Sequence, residues 1–140
     1  MGNYRTVYLT EYTAQEGCEN VLTLPIKKQW FDMILSGEKK EEYREIKPYY
    51  ERRFMFAGFL SYWCDDHMPI GSHYPIRLRN GYRLDSPMIE AIVSLTIGEG
   101  KPEWGAEPNK TYYVLHIEKI LSYFDGEKLM NPFKKDGEQE

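Results

Sequence analysis

A chain of 140 residues that is 41% hydrophobic, 15% aromatic and 29% charged has enough apolar mass for one buried core, which excludes a wholly disordered polymer and leaves little room for a second domain. A net charge of -4 excludes a protein that coats nucleic acid by bulk electrostatics alone. A mean hydropathy of -0.64, with no apolar run of about 18 residues, excludes a membrane-spanning helix. Residues 1–20 mix Gly, Asn, Glu and Gln with Tyr and show no sustained period, so they read as an N-terminal extension. Val21-Leu22-Thr23-Leu24-Pro25-Ile26 alternates and reads as a strand, with Pro25 near its end where a ladder donor can be spared. From Lys27 to Ser36 the apolar residues Trp30, Met33 and Ile34 fall at helical spacing, and Gly37 stands where a left-handed residue ends a helix.

Lys39–Ile46 reads as a solvent-facing strand lining a cleft. Pro48 suits the first turn of a second short helix running to Phe54. Residues 58–75 carry glycines, prolines and scattered aromatics and read as irregular or short strand. Ile76-Arg77-Leu78-Arg79 alternates ahead of Asn80-Gly81, the strongest short hairpin signal in the chain, beyond which Tyr82 resumes a strand; Asn80 then serves only the turn. Ile89–Ile97 and Tyr112–Ile120 are alternating strands, separated by a turn at Gly98–Pro102. The end of the chain, 125–140, reads as a charged tail. Strands with one or two short helices and no βαβα regularity predict a small mixed α+β barrel, with the domain proper over 21–124.

The charge is unevenly spread. Counting Lys and Arg against Asp and Glu, residues 1–26 carry 1 against 3, residues 27–83 carry 11 against 8, and residues 84–140 carry 6 against 11. The basic middle is interleaved with Trp30, Tyr43, Tyr49, Tyr50, Tyr62, Trp63, Tyr74 and Tyr82. Cations that hold phosphate beside rings that stack on bases suit a nucleic-acid strand or a nucleobase, although snorkelling side chains and core aromatics explain the same composition. Cys18 and Cys64 have no CxxC spacing, so neither a disulfide framework nor a cysteine zinc site is indicated. Cys64-Asp65-Asp66-His67 with His73 has ligand residue types at a spacing that matches no metal pattern. The opening MGNYRTVYLTEY lacks a basic n-region and an apolar h-region, and the expected location is the cytoplasm.

Gly37-Glu38-Lys39-Lys40-Glu41-Glu42-Tyr43-Arg44 fits G-x-K-x-x-E-x-R, preceded by the strand and helix VLTLPIKKQWFDMILS. With IRLRNGY at 76–82, EAIVSLTIGEGKPEWGAEP at 90–108 and TYYVLHIEKIL at 111–121, it resembles the activating signal cointegrator homology (ASCH) domain, a relative of the PUA RNA-binding domain, over residues 21–121. The resemblance implies a PUA-like β-barrel with a cleft beside the first helix, into which the lysine and arginine of the motif point. It implies RNA or a nucleoside or nucleotide ligand as partner; the hydropathy and ligand spacing above leave no membrane, cofactor or metal expected. Some compact bacterial members look like amidohydrolases that remove an acyl group from a modified cytidine; their catalytic set is the motif lysine, a threonine and a more distant glutamate. Here Lys39 and Arg44 match, but Glu42 stands at the threonine position, and Glu99, Glu103 and Glu107 are candidates for the remote acid.

Two readings of the site follow. As a binding module, Lys39, Glu42, Arg44 and Arg79 line the cleft, with Arg44 and Arg79 clamping phosphate and Trp104 or Tyr82 stacking on a base. As an enzyme, Lys39 is a partly desolvated base and Glu42 or Glu103 positions water. Residues three apart lie on opposite faces of an ideal strand, so bringing Lys39 and Glu42 into one cleft asks for a bulge at Lys40-Glu41. On spacing alone, a solvent-exposed strand with weak ion pairs is the plainer reading.

Overall fold

A computed structural model of the chain describes residues 21–62 and 66–126, and the backbone of 129–130. The expected N-terminal extension and most of the charged tail lie outside the described residues. Five strands form one mixed sheet: β1 (Thr23–Pro25), β2 (Glu41–Glu45), β3 (Tyr74–Arg79), β4 (Met88–Glu99) and β5 (Thr111–Phe124), in spatial order β1-β3-β4-β5-β2. A two-residue β6 (Leu129–Met130) pairs with β5, so the ladder continues into the stretch that the sequence assigns to the tail. Two helices, α1 (Lys28–Leu35) and α2 (Pro48–Phe56), lie in the crossover between β1 and β3. The α+β class and the two short helices agree with the sequence reading, and the sheet closes only as far as a half-barrel.

β1 runs parallel to β3, and every other pairing is antiparallel. β4 and β5 are long, and register shifts at Glu90/Ala91 and Ile92/Val93 supply the local twist that curls a sheet of this length over its helices. The core is the concave side of that curl. Leu24, Ile34, Phe54, Phe59, Leu60, Ile76, Leu78, Ile89 and Leu115 are almost fully buried there. Alternation explains the strands: Leu78 and Ile76 face inward while Arg77 and Arg79 face outward. In α1, Phe31 and Ile34 bury one stripe against the core, and Trp30 packs beside them. In α2, Pro48 occupies the first turn as expected, and Phe54 meets Phe59 and Tyr113 edge-on at 6.4 and 5.1 Å between ring centres.

The sheet does not join its two ends by a ladder. Instead Arg44 Nη2 on β2 donates to the Pro25 carbonyl of β1 at 2.5 Å, and Arg53 Nη2 on α2 donates to the Thr23 carbonyl at 2.7 Å. One guanidinium therefore bridges the seam, and the second ties α2 to β1 beside it.

The hairpin after Arg79 is formed by β3 and β4, but not through a tight turn at Asn80-Gly81. Arg79 pairs with Met88, and residues 80–87 make a longer loop in which Tyr82 is 89% exposed and resumes no strand. The amide N–H of Asn80 closes that loop on the Pro87 carbonyl at 2.8 Å, and its side-chain amide donates to the Ile26 carbonyl at 2.9 Å. Asn80 thus ties the loop to β1 instead of serving only a turn. The physical reason is that Tyr82 and Leu84 are followed at once by Asp85-Ser86-Pro87, and sustained apolar alternation restarts only at Met88. Among the described residues no helix is long and apolar enough to cross a membrane.

Candidate functional site

The site begins with the end of α1. Gly37 has φ +88°, a left-handed conformation that L side chains rarely adopt, and its N–H bonds to the Ile34 carbonyl at 3.1 Å. The Lys39 N–H then returns to the Met33 carbonyl at 2.9 Å, which pins the residue under the helix before any strand pairing starts. Lys40 is fixed next, its carbonyl accepting the Ile117 N–H at 2.9 Å. From Glu41 the chain is in register with β5, with Glu42 opposite Leu115 and Arg44 opposite Tyr113. Both partners are core residues, so Glu42 and Arg44 face inward.

Lys39 and Glu42 meet without the expected bulge. The β2–β5 register runs unbroken over Glu41–Glu45, and Lys39 precedes the ladder, so strand alternation does not govern where its side chain goes. Nor do Lys39 and Glu42 face solvent, being 1% and 5% exposed, whereas Lys40, Glu45 and Ile46 of the same segment do. Lys39 Nζ donates to Glu42 Oε1 at 2.7 Å and to the Glu41 carbonyl, and Arg44 Nη1 donates to Glu42 Oε2 and to the Tyr43 carbonyl. One carboxylate thus receives two cations. The Lys39 ammonium also lies 5.5 Å from the ring centre of Trp30 and 5.1 Å from that of Tyr43. Burial holds its pKa below the ordinary lysine range; Glu42 acts the other way, and Arg44 adds to the lowering.

The loop after β4 covers this cluster from outside. A Cβ on Gly100 would stand 2.6 Å from the Tyr43 ring, and one on Gly105 would stand 3.0 Å from the Trp30 ring, so glycine is what allows the loop to lie this close. The Lys101 N–H donates to the Tyr43 hydroxyl at 2.9 Å, and that hydroxyl donates to Glu41 Oε1 at 2.8 Å. Burial is the main cause of the strongly raised pKa of Tyr43, so it stays a phenol at any physiological pH. Trp104 belongs to the same loop. It is half-buried in a short 3-10 turn (Pro102–Trp104), with Lys101 Nζ 4.4 Å above its ring, and it bonds none of Lys39, Glu42 and Arg44.

Arg79 is not brought to the cluster. It projects from the opposite side of β3 to Leu78 and lines a separate cavity with Met88 and Glu90. Glu99, Glu103 and Glu107 are all exposed, and none bonds Lys39 or Glu42. Tyr82 lies elsewhere again. With Pro25, Lys27 and Asn80 it lines a groove of about 400 Å³, and Pro25 is the residue whose carbonyl takes Arg44. Of the metal-ligand types, Cys64 and Asp65 lie outside the described residues, His67 bonds the Ser61 carbonyl, and His73 pairs with Glu118.

Sequence reasoning missed three features. Trp30 and Tyr43 as walls of the lysine site were within reach, since Tyr43 sits inside the motif. The buried Glu90, which accepts from Arg77 and Ser122, is a carboxylate in an otherwise apolar strand, and that anomaly was its only signal. His116 is bonded to Thr96 Oγ1 at 2.7 Å across two strands, a pairing that no single strand discloses. Comparison with known protein families, with curated proteins and with solved structures finds no match for this chain.

Proposed function

We propose that the chain is an ASCH-like, PUA-related module that binds RNA or a nucleotide-containing ligand beside α1, with Lys39, Glu42 and Arg44 as the polar floor. The observation that carries the reading is the convergence of the G-x-K-x-x-E-x-R side chains on one buried carboxylate. A buried ionic cluster is a poor way to stabilise a small domain, which favours a role for it in recognition. The groove between Pro25–Lys27 and Asn80–Tyr82 adjoins Arg44 through Pro25 and offers the exposed Tyr82 ring for stacking. Along α2, Arg53 lies over Tyr49 and Lys47 over Tyr50, both 5.5 Å from the ring centre, a basic and aromatic border on the same side as the bridged seam. Trp104 stays in the proposal only as a contact from the covering loop.

The test is fluorescence anisotropy with single-stranded and structured RNA at two salt concentrations. Binding should weaken as salt rises, and Arg44→Ala should lose about tenfold or more, as expected for one charged hydrogen-bonding group. Because Arg44 also bridges the seam, Tyr82→Ala serves as a second variant that touches no buried contact; it should lose about 1–3 kcal/mol of stacking. Equal affinity of wild type and both variants removes the site.

The lowered pKa of Lys39 favours one alternative, a small amidohydrolase acting on an N-acylated nucleoside, with Lys39 as base and Glu42 positioning water. It predicts turnover in a panel of N-acyl nucleosides that disappears in Lys39→Ala. A panel without turnover above background counts against it.

A further inference from the structure

The outer face of the sheet holds a second arrangement that shares no lining residue with the Tyr82 groove. Arg77, Arg79, Glu90 and Ser122 gather on the convex side of β3, β4 and β5 around a cavity of about 340 Å³, at the small end of the range for ligand sites. Glu90 is 3% exposed, and both of its oxygens are taken: Ser122 Oγ donates to one at 2.9 Å and Arg77 Nε to the other at 3.2 Å. That network is closed, and it balances one of the two arginines.

Arg79 is left over. Its Nε is buried with no acceptor, and Nη2 approaches only the Met88 sulfur, at 3.8 Å, a weak partner for a guanidinium. No oxygen of the described residues meets this group. A guanidinium matches a carboxylate, and here Arg79 lines the cavity with no oxygen partner among the described residues. Among the described residues the rest of that wall is mostly apolar. Met88, Tyr123 and Phe124 line it, and Leu84, 89% exposed on the 80–87 loop, stands at its edge as an uncovered hydrocarbon lip.

We propose that this cavity binds a small organic monocarboxylate, its carboxylate on the Arg79 guanidinium and its hydrocarbon body against Met88, Phe124 and Leu84. The single unbalanced charge selects a monoanion over a dianion, and the lining selects an apolar body over a sugar.

The test uses the full chain and methyl NMR of Met88 and Leu84, titrated with hexanoate, 4-phenylbutyrate, hexanamide and hexyl phosphate. The carboxylates should give saturable shifts of these methyls with a dissociation constant of about 1 mM or tighter. Hexanamide should bind at least tenfold more weakly, and so should hexanoate to Arg79→Gln. Arg79→Lys, which keeps the charge and loses the planar fork of the guanidinium, should fall between the two. The assignment is overturned if neither carboxylate saturates at about ten times that concentration, if hexanamide matches hexanoate, or if hexyl phosphate binds more tightly than hexanoate. RNA binding is read through Arg44 and Tyr82, so either proposal can fail while the other stands.

Discussion

Glu42 is the counter-charge that lets Lys39 stay buried as an ammonium, and the pair makes a residue-scale prediction with a definite sign. Burial lowers the lysine pKa and Glu42 raises it, so Glu42→Gln should drive the titration of Lys39, followed by NMR of its side-chain ε-carbon, further below 10.5. A lysine whose folded pKa lies below its unfolded value costs stability while it is charged. The cost is relieved as pH climbs through the folded pKa toward 10.5. Wild-type stability, relative to Lys39→Met, should therefore rise across that alkaline window. Removing the carboxylate altogether, as in Glu42→Ala, leaves Lys39 buried beside Arg44 without its hydrogen-bonded counter-charge, the more distant Glu41 being the carboxylate that remains, and should cost about 3–5 kcal/mol in urea unfolding. The residue types of this site were legible as a motif, but their convergence was not. Spacing rules apply to residues inside a ladder, and Lys39 lies one helix cap ahead of it.

Elements were legible where a local pattern decides them. α1 ends at its glycine, Pro48 starts α2, and the two long strands keep their alternation. The failure at Asn80-Gly81 has a local cause too, since a turn dipeptide forms a hairpin only if alternation resumes directly after it. Two glycines give a contrast at this scale. An added methyl at Gly37 meets nothing within 4 Å, so Gly37→Ala should cost only the left-handed backbone term of about 1–2 kcal/mol. At Gly100 the backbone needs no glycine but the Tyr43 ring is in the way, so Gly100→Ala should cost about 1–3 kcal/mol by overpacking. Urea unfolding measures both. Amide spectra distinguish the mechanisms, because Gly100→Ala alone should disturb Lys101, whose N–H bonds the Tyr43 hydroxyl.

For the molecule as a whole, a mixed sheet with two helices could be read from alternation and helix period, whereas the parallel docking of β1 beside β3 could not. That pairing is a register between distant segments, and neither segment carries a mark of the other. The half-barrel is held from inside by Phe54, fully buried between Phe59 and Tyr113; Phe54→Ala should lower stability by about 3–5 kcal/mol in denaturant melts. The same topology bears on synthesis. The first strand can find its neighbour only after α1, β2 and α2 have been made and Arg77–Arg79 has appeared. A nascent chain leaving the ribosome therefore carries the edge of Leu22, Leu24 and Ile26 unpaired while residues 27–79 are being made, and this ribbon is where a chaperone would gain its first hold.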